Sequence, residues 1–305
     1  MIRFIEHNEV DTEKWDNCIK KSVNSLPYAF SWYLDIVVLQ WDALVLDDYQ
    51  AVFPLPSRKK FFLQYSFTPF WVQQLGLFYI ESDDRNLLPD FISAIPYSFR
   101  YIDLNMNHYA HLIPNDYMSI RDRSNYELRL NQPYSKMLKS YSKNLLRNLK
   151  KAKENHLQIF KNDSPKNLIT LFKEDRRGRQ VKCFSERDYQ NLERIMHVAI
   201  HKNCGQVLMA YGEGNQLQAG MFLLFGINRV IFLFSGNSLE GRKTGAMPFL
   251  IDSFFKESAN SSFTFDFEGS DDENLAKFYR GFGGQNHSYQ NIKMNRLPFL
   301  LSYFK

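Results

Sequence analysis

The sequence predicts an α+β protein with two domains, each built from a mixed, mainly antiparallel sheet flanked by helices. At 305 residues the chain is long enough to form two hydrophobic cores. Segments with alternating apolar residues, which are typical of strands, are interspersed with segments of helical periodicity. The order hairpin, strand, helix, strand occurs in residues 41–105 and again in residues 206–268, which indicates an internal duplication.

The net charge changes sign near Ser124, and we place the domain boundary there. Residues 1–125 carry 11 basic and 16 acidic side chains, whereas residues 126–305 carry 27 and 17. We therefore expect an N-terminal domain at 1–124 and a C-terminal domain at 125–305. The positive excess lies in residues 129–187 and favours an anionic partner such as a phosphate-bearing donor, RNA or an acidic polymer, with a solvated surface as the alternative.

The first domain begins with helical periodicity and continues as strands. Helices are expected at 12–22, 30–40 and 86–93, and strands at 41–45, 50–55, 61–67 and 100–105. The passage FTPFWVQQLGLFYI, at 67–80, is too aromatic for a linker. Trp71, Gln73 and Gln74 in this passage are candidates for lining an acceptor cleft between the two halves, although core packing would also explain them.

The second domain opens with an amphipathic helix, predicted at 135–156. Leu138, Tyr141 and Leu145 recur on one face, whereas Lys143 and Arg147 belong to a cationic stripe on the nearly opposite face. After two more helices, strands are expected at 206–211, 216–225 and 230–234, followed by a glycine-bearing loop at 235–245 and a helix. No apolar run is long enough to span a bilayer, and the start of the chain is unlike a signal peptide, so we expect a cytoplasmic protein.

The stretch FTFDFEGSDDENLAKFYRGFGG, at 263–284, predicts a strand, a turn and a short helix. Its strand presents the carboxylates of Asp266 and Glu268 on one face. Ser270 stands three residues before Glu273, which is the spacing of a capping box at a helix N-terminus. Polar groups at a strand tip beside a helix N-terminus are a common place for a ligand, so we expect the functional site here.

The element order from residue 206 to residue 292 resembles the core of the GNAT acyltransferase superfamily. The segments SKNLLRNLKKAKENHLQI and FDFEGSDDENLAKFYRGFGG are in addition similar to the Fem family of peptidyltransferases and related tandem-GNAT acyltransferases. The resemblance covers most of residues 126–296. It implies two GNAT-like domains, of which the N-terminal one is degenerate and on the acceptor side.

The resemblance also implies a donor and the residues that bind it. In the GNAT core, backbone N–H groups of the loop before the central helix hold the pyrophosphate of acyl-CoA. The loop motif Q/R-x-x-G-x-G/A falls on Arg242, Gly245 and Met247, and we take Arg242, Lys243, Thr244 and Gly245 as the donor-phosphate set. Fem peptidyltransferases usually have Phe-Lys where this chain has Phe278-Tyr279, so acyl-CoA is the first expected donor and aminoacyl-tRNA the second.

The expected reaction is transfer of an acyl or aminoacyl group to an amine of a small molecule or a cell-wall precursor. Glu268 is the candidate base, and Asp266 either raises the pKa of Glu268 or is a buried structural acid. Tyr279 is the candidate acid for the leaving group, or else a core aromatic residue. Ser270 is a candidate substrate contact at the same tip.

Metal chemistry is not expected, and two other functions compete with transfer. His197 and His201 have helical spacing, but Val198 stands where a zinc-protease motif needs glutamate, and neither this pair nor His108 and His111 has an evident third ligand. One alternative is a nucleic-acid-binding module that uses the basic helix at 135–156. The other is a catalytically degenerate GNAT fold that serves as an interaction surface.

Overall fold

Strand pairing divides the chain into two units. The structure is a computed structural model, and it describes residues 1–60, 62–175, 184–269 and 271–297. Within these residues, the first unit contains residues 1–124 and 287–297, and the second contains residues 125–286. Each unit contains one sheet.

The first unit begins with a short edge strand and two helices, and most of its sheet follows. Its α-helices are α1 (Thr12–Lys21), α2 (Ser31–Val37) and α3 (Leu88–Ser93). Its strands up to residue 124 are β1 (Ile2–Ile5), β2 (Trp41–Leu46), β3 (Ala51–Lys60), β4 (Leu63–Phe67), β5 (Phe78–Tyr79), β6 (Phe99–Asn105) and β7 (Met118–Arg123). The sheet runs in the order β1-β2-β3-β4-β6, and β4 and β6 are parallel, whereas the other neighbours in this run are antiparallel.

The second unit repeats this arrangement of a hairpin, a third strand, a helix and a parallel strand. Its strands are β8 (Tyr126–Arg129), β9 (Gln158–Lys161), β10 (Gly205–Tyr211), β11 (Leu217–Phe225), β12 (Arg229–Asn237), β13 (Thr264–Asp266) and β14 (Gln285–Asn286). Its helices are α4 (Tyr134–Ser140), α5 (Lys143–Glu154), α6 (Pro165–Asp175), α7 (Glu186–His201), α8 (Leu239–Thr244), α9 (Ala246–Glu257) and α10 (Glu273–Gly281). The sheet order is β14-β8-β13-β12-β11-β10-β9, and β12 and β13 are its parallel pair.

The core of the second unit is rich in phenylalanine. Phe255 of α9 packs edge-on against Phe265 of β13, with ring centroids 4.8 Å apart. Phe282, just after α10, packs against Phe255 and Phe267 at 5.7 Å and 5.8 Å. These contacts hold α9 and the end of α10 on one side of the β13 region, because buried aromatic residues contribute large apolar areas. The mixed, mainly antiparallel sheets flanked by helices confirm the predicted fold class.

Two predicted elements of the second unit are wrong in detail. The helix expected at 135–156 is interrupted at Tyr141, which has an extended backbone because its hydroxyl donates a hydrogen bond of 2.8 Å to Asp252 of α9. Ser142 then starts α5 by accepting the N–H of Leu145 at 3.2 Å. The loop expected at 235–245 is mostly regular structure, because β12 continues to Asn237 and α8 follows.

One strand of the first unit comes from the far end of the chain. Strand β8 is the first strand of the second unit and pairs there with β13 and β14. Strand β15 (Tyr289–Asn295) follows the second unit but lies between β6 and β7 of the first. Ile292 and Met294 of β15 are buried in the first core, which explains why residues 287–297 leave the C-terminal domain to which the sequence assigned them.

Each helix within the described ranges is either too short or too polar to cross a lipid bilayer.

Candidate active site

The parallel strands of the second unit separate next to a bulge in β12. Ile231 is the last residue of β12 that pairs with β13, and its partner is Asp266. Phe222 of β11 pairs with Phe234 and Leu223 pairs with Phe232, so Leu233 is an extra residue in β12. A bulge bends its strand and increases the twist. As a result, residues 232–237 pair with β11 on one side, whereas on the β13 side they pair with no strand among the described residues.

A buried ionic network lies where the two strands are still paired. Arg229 at the start of β12 contacts Glu127 of β8 and Asp266 of β13, with 2.6 Å from Nη1 to one carboxylate oxygen of each. Asn125 donates a further hydrogen bond of 3.0 Å to Glu127. Both carboxylates are buried, and a buried charge is stable only when it is paired and hydrogen-bonded. The network therefore connects three neighbouring strands, β8, β13 and β12.

Burial and pairing act in opposite directions on these charges. Burial alone raises the pKa of Asp266, and the neighbouring Glu127 carboxylate adds to this, whereas Arg229 lowers it. Burial disfavours the charged form of Arg229, but Asp266 and Glu127 outweigh it and raise the pKa of the guanidinium. Arg229 is therefore a permanent cation, and Asp266 is held in place by it.

Glu268, the predicted base, follows β13 by two residues and has an unusual backbone. Its φ angle is 62°, in the left-handed region that non-glycine residues rarely adopt. Two hydrogen bonds hold this conformation: its N–H donates to Asp266 Oδ1 at 2.9 Å, and its carbonyl accepts from Tyr126 N at 3.4 Å. Asp266 therefore positions the backbone of Glu268 with one carboxylate oxygen and binds Arg229 with the other. Strained backbone held by its surroundings is common at functional sites.

Tyr279, the predicted acid, lies in α10 with its ring stacked on Phe267 at a centroid distance of 4.8 Å. The residue is 7% exposed, and its hydroxyl has no hydrogen-bond partner within the described segments. Burial raises the pKa of Tyr279, and the carboxylates of Glu268 and Asp266 raise it further. The structure thus brings Tyr279 into the electrostatic environment of Glu268 and Asp266.

The start of α10 differs from the predicted capping box. Asp272 is the N-cap, and its carboxylate accepts the N–H groups of Asn274 and Leu275 at 2.8 Å and 3.3 Å. A carboxylate one residue before the helix caps it as well as serine does, so Glu273 begins the helix instead of completing a capping box. Ser270, the predicted capping residue and substrate contact, lies outside the described residues.

The predicted donor-phosphate set lies in α8 and at Gly245, the residue between α8 and α9, and its members contact other residues of the chain. Arg242 forms an ion pair with Asp175 at the end of α6, and Lys243 contacts Glu240 at 3.0 Å. Thr244 is buried and donates a hydrogen bond of 2.5 Å to Gln218. Gly245 has a φ angle of 79°, and a Cβ atom there would lie 2.4 Å from the backbone oxygen of Asn148 in α5. That oxygen therefore lies against the start of α9.

The predicted acceptor residues lie in the first unit. Gln74 donates to the side-chain oxygen of Gln73 at 2.7 Å and accepts the N–H of His108 at 2.9 Å, and both glutamines are buried. Trp71 has a φ angle of 67°, and its carbonyl accepts a hydrogen bond from Tyr33. Their assignment to an acceptor site stays a prediction.

Sequence reasoning missed Arg229, Glu127 and Tyr126 as parts of this site. Arg229 follows a predicted turn and looks like an ordinary surface cation, and its partners are 37 and 102 residues away in sequence. Tyr126 accepts a hydrogen bond of 3.0 Å from Arg280 and lies 6.0 Å from the Tyr279 ring. No local pattern reveals such pairs. As for metals, the described ranges contain no group of three or more His, Cys, Asp or Glu residues that could hold an ion.

Solved structures match this architecture along nearly the whole chain. The structure of FemX has a TM-score of 0.69 and 12% sequence identity, with 97% of this chain and 99% of that chain covered. The chain therefore has the same fold as FemX. This confirms the expected resemblance at the level of the fold.

Two further solved structures have the same fold. A conserved protein of unknown function from Bacteroides thetaiotaomicron has a TM-score of 0.61 at 10% identity, with 97% and 100% of the two chains covered. The C-terminal domain of a putative lysylphosphatidylglycerol synthetase from Agrobacterium fabrum has a TM-score of 0.58 at 10% identity, with 93% and 91% covered. The sequence matches no protein-family model and no curated protein.

Proposed function

We propose that the second unit transfers an acyl or aminoacyl group to an amine of a small molecule or a cell-wall precursor. The observation that carries the proposal is the separation of β12 from β13 at the level of Glu268. An acyl group placed between these strands meets a backbone edge of β12 that pairs with no strand in the described part of the chain. Preorganised backbone N–H groups stabilise the oxyanion of acyl transfer.

The proposed steps use Glu268 and Tyr279 in the roles predicted from the sequence. Glu268 accepts a proton from the acceptor amine as its nitrogen attacks the carbonyl carbon of the donor. The new C–N bond forms, and the bond from the carbonyl carbon to the leaving oxygen or sulfur breaks. Tyr279 gives its proton to that leaving atom, and Asp266 positions Glu268 through the hydrogen bond to its backbone N–H.

Two properties favour an oxygen ester over a thioester as the donor. The pKa of Tyr279 is raised above the ordinary phenol value of about 10. Such a weak acid protonates a strongly basic alkoxide leaving group readily, but it protonates a thiolate poorly, because the corresponding thiol has a pKa of only about 8.5. The start of α9, where a GNAT core would bind pyrophosphate, faces the Asn148 carbonyl oxygen. We therefore place an aminoacyl ester carried on RNA first and acyl-CoA, the first expectation from the sequence, second.

The structural neighbours support transfer without deciding the donor. FemX shares the fold along the whole chain. The Agrobacterium fabrum protein is named a putative lysylphosphatidylglycerol synthetase. Synthesis of the compound in that name joins a lysyl group to phosphatidylglycerol. At 10–12% identity these similarities support the reaction class and not the substrate.

The experiment offers both donors to the same protein in parallel. Radiolabelled aminoacyl-tRNA and radiolabelled acetyl-CoA are incubated with the protein and an amine-containing extract, and transferred label is counted. We expect label transfer from the aminoacyl ester, lowered by about two orders of magnitude in Tyr279→Phe and in Glu268→Gln. Glu257→Gln, an exposed carboxylate paired with Lys161, serves as the control and keeps the wild-type rate. Transfer from neither donor, or an unchanged rate in Tyr279→Phe, contradicts the proposal.

RNA binding without chemistry is the second candidate function, and the surface of α4 and α5 favours it. Lys136, Lys139, Lys143, Arg147 and Lys150 are all exposed. Of these, Lys150 contacts Glu154 at 3.7 Å and Arg147 contacts Asn144 at 3.1 Å. RNA binding that weakens steeply with salt and with Lys143→Glu and Arg147→Glu, in a protein that transfers no label, supports this function.

A further inference from the structure

A separate cavity lies in the second unit at the turn between β10 and β11. Its volume is about 750 Å³, within the range of small-molecule sites. Its walls come from the end of α5, from β9, from the turn at 212–216 and from α8. The side chains that matter for its chemistry are Glu154, Gln158, Tyr211, Glu213, Gln218 and Glu240. The proposed transfer reaction uses none of them.

Gln218 is a buried hydrogen-bonding group that faces this cavity. The residue is 6% exposed, and its Oε1 accepts the Thr244 hydroxyl at 2.5 Å. Its Nε2 makes no hydrogen bond within the described segments and keeps some solvent exposure, so a ligand in the cavity can reach it. Gly212 makes room for this nitrogen, because a Cβ atom at Gly212 would lie 2.0 Å from it. A ligand with an acceptor oxygen would satisfy Nε2.

Three carboxylates line the same cavity at separate places. Glu154 contacts Lys150 at 3.7 Å and Glu240 contacts Lys243 at 3.0 Å, whereas Glu213 at the tip of the turn has no ion-pair partner among the described residues. These carboxylates do not form a group that could hold one metal ion. Separated carboxylates suit an extended organic cation with more than one ammonium group.

The remaining lining is typical of a site for hydroxyl groups. Asn155, Gln158, Asn215 and Gln216 contribute side-chain amides, which both donate and accept hydrogen bonds. Tyr211 contributes an aromatic ring, fixed by an edge-on contact with Phe160 at 5.2 Å and by a hydrogen bond to Asp163. We propose that this cavity binds an amino sugar, or a short oligomer of one, whose ammonium groups contact the carboxylates and whose hydroxyl oxygen accepts from Gln218.

Four probes separate charge from hydroxyl content. Isothermal titration calorimetry at low salt compares the glucosamine dimer, its N,N′-diacetyl form, cellobiose and spermidine. The glucosamine dimer is expected to bind at least about tenfold more tightly than the other three, because it alone has both ammonium and hydroxyl groups. Binding of all four with equal affinity, or of none at millimolar concentration, overturns the proposal. Tightest binding of spermidine also overturns it, because a polyamine offers no acceptor to Gln218.

Two neighbouring glycines supply a matched pair of variants. Gly212 has an extended backbone that alanine adopts, so Gly212→Ala places a methyl group against Gln218 Nε2 and is expected to weaken dimer binding about tenfold. Gly214 lines the same turn, but a Cβ atom there meets nothing within 4 Å. Gly214→Ala is therefore expected to keep the wild-type affinity, and Glu213→Gln to lower it by about the same factor as Gly212→Ala.

Circular dichroism checks that each variant is folded before titration. Equal affinity of wild type, Gly212→Ala and Glu213→Gln for the glucosamine dimer rejects the site. The binding proposal and the transfer proposal are tested independently. Label transfer is measured without the amino sugar, and calorimetry is done without a donor.

Discussion

The two units contain the same pair of parallel strands, joined in one and separated in the other. In the first unit, pairing continues past the end of β4, because Thr68 N donates to Asp103 O at 3.1 Å and its hydroxyl accepts Asn105 N at 2.7 Å. Leu75 N then donates to Asn105 O at 2.9 Å, so the chain after β4 returns to cover the end of β6. In the second unit, β12 and β13 part after Ile231 and Asp266.

The same topology therefore serves two purposes. The first unit connects its polar strand ends by side-chain hydrogen bonds: Asn291 Nδ2 of β15 donates to Asp103 at 2.8 Å and to Asn105 at 3.0 Å. The second unit leaves an edge of β12 beside Glu268. An unpaired backbone edge is costly in a buried position unless something binds to it. This difference supports the proposed chemistry in the second unit.

The largest effect is expected at the buried network of the second unit. Arg229→Met leaves the carboxylates of Glu127 and Asp266 buried without a cation and is expected to lower the free energy of unfolding by about 3–5 kcal/mol. The matched variant in the first unit is Lys293→Met, which removes a half-exposed ion pair with Asp103 and is expected to cost about 0–1 kcal/mol. Urea denaturation measures the unfolding free energy of both variants. Equal losses in the two variants would contradict the expected difference between the buried network and the half-exposed ion pair.

The pH dependence of the Arg229→Met defect sharpens this prediction. Burial raises the pKa of Asp266, and removing Arg229 raises it further. A carboxyl group with a raised folded-state pKa stabilises the fold fully below its unfolded pKa of about 3.9 and loses that contribution as pH rises through the folded pKa. The stability deficit of Arg229→Met relative to wild type is therefore expected to be larger at pH 8 than at pH 5. A deficit that grows on acidification contradicts this account of the network.

An intermediate effect is expected where the first unit closes its strands. Asn105→Ala removes the hydrogen bond of 2.8 Å to the Gln73 carbonyl and leaves the buried Asn291 amide short of an acceptor. Unfolding free energy is expected to fall by about 1–3 kcal/mol. The rate of label transfer per folded molecule is expected to stay unchanged, because the closed pair has no part in the chemistry. A lower transfer rate in the folded variant would place chemistry in the first unit as well.

The smallest effect on stability is expected at Glu268. Glycine adopts a φ of 62° without strain, so Glu268→Gly removes about 1 kcal/mol of backbone strain from the folded state. Glycine also makes the unfolded chain more flexible, which destabilises the fold by a similar free energy. The unfolding free energy is therefore expected to change by less than about 1 kcal/mol, whereas transfer is lost. Thermal denaturation and the transfer assay are run on the same preparation. A large loss of stability would mean that the Glu268 side chain is structural.

The sequence predicted those features that local patterns determine. Alternation and turn residues located the strands that form both parallel pairs, and the strand carrying Asp266 is followed by the helix carrying Tyr279 as expected. The sequence left two roles for Asp266, raising the pKa of Glu268 or acting as a buried structural acid. Its burial and its contacts with Arg229 and with the Glu268 backbone are those of a buried structural acid. That choice depends on a partner 37 residues away, which periodicity cannot reveal.

The features that sequence reasoning missed depend on distant contacts. The apolar periodicity continues through Tyr141, whereas α4 ends where two distant contacts are made. Tyr141 donates to Asp252, 111 residues away, and Ser142 N donates to Gly281 O at 2.9 Å. The placement of β8 and β15 is also non-local, since an alternating strand fits either sheet until its neighbours are known. The bulge at Leu233 has no signature in the run VIFLF, although it opens the strand pair.

Amide hydrogen exchange on β12 measures whether the parallel strand pair of the second unit is open. Peptides covering residues 232–237 and residues 102–107 are compared by mass spectrometry, with and without a non-hydrolysable aminoacyl-tRNA analogue. The account predicts faster exchange at 232–237 than at 102–107 in the unliganded protein, and slowing by the analogue at 232–237 alone. Equal protection of both segments without the analogue, or no change at 232–237 when it binds, would contradict an open strand pair that receives the donor.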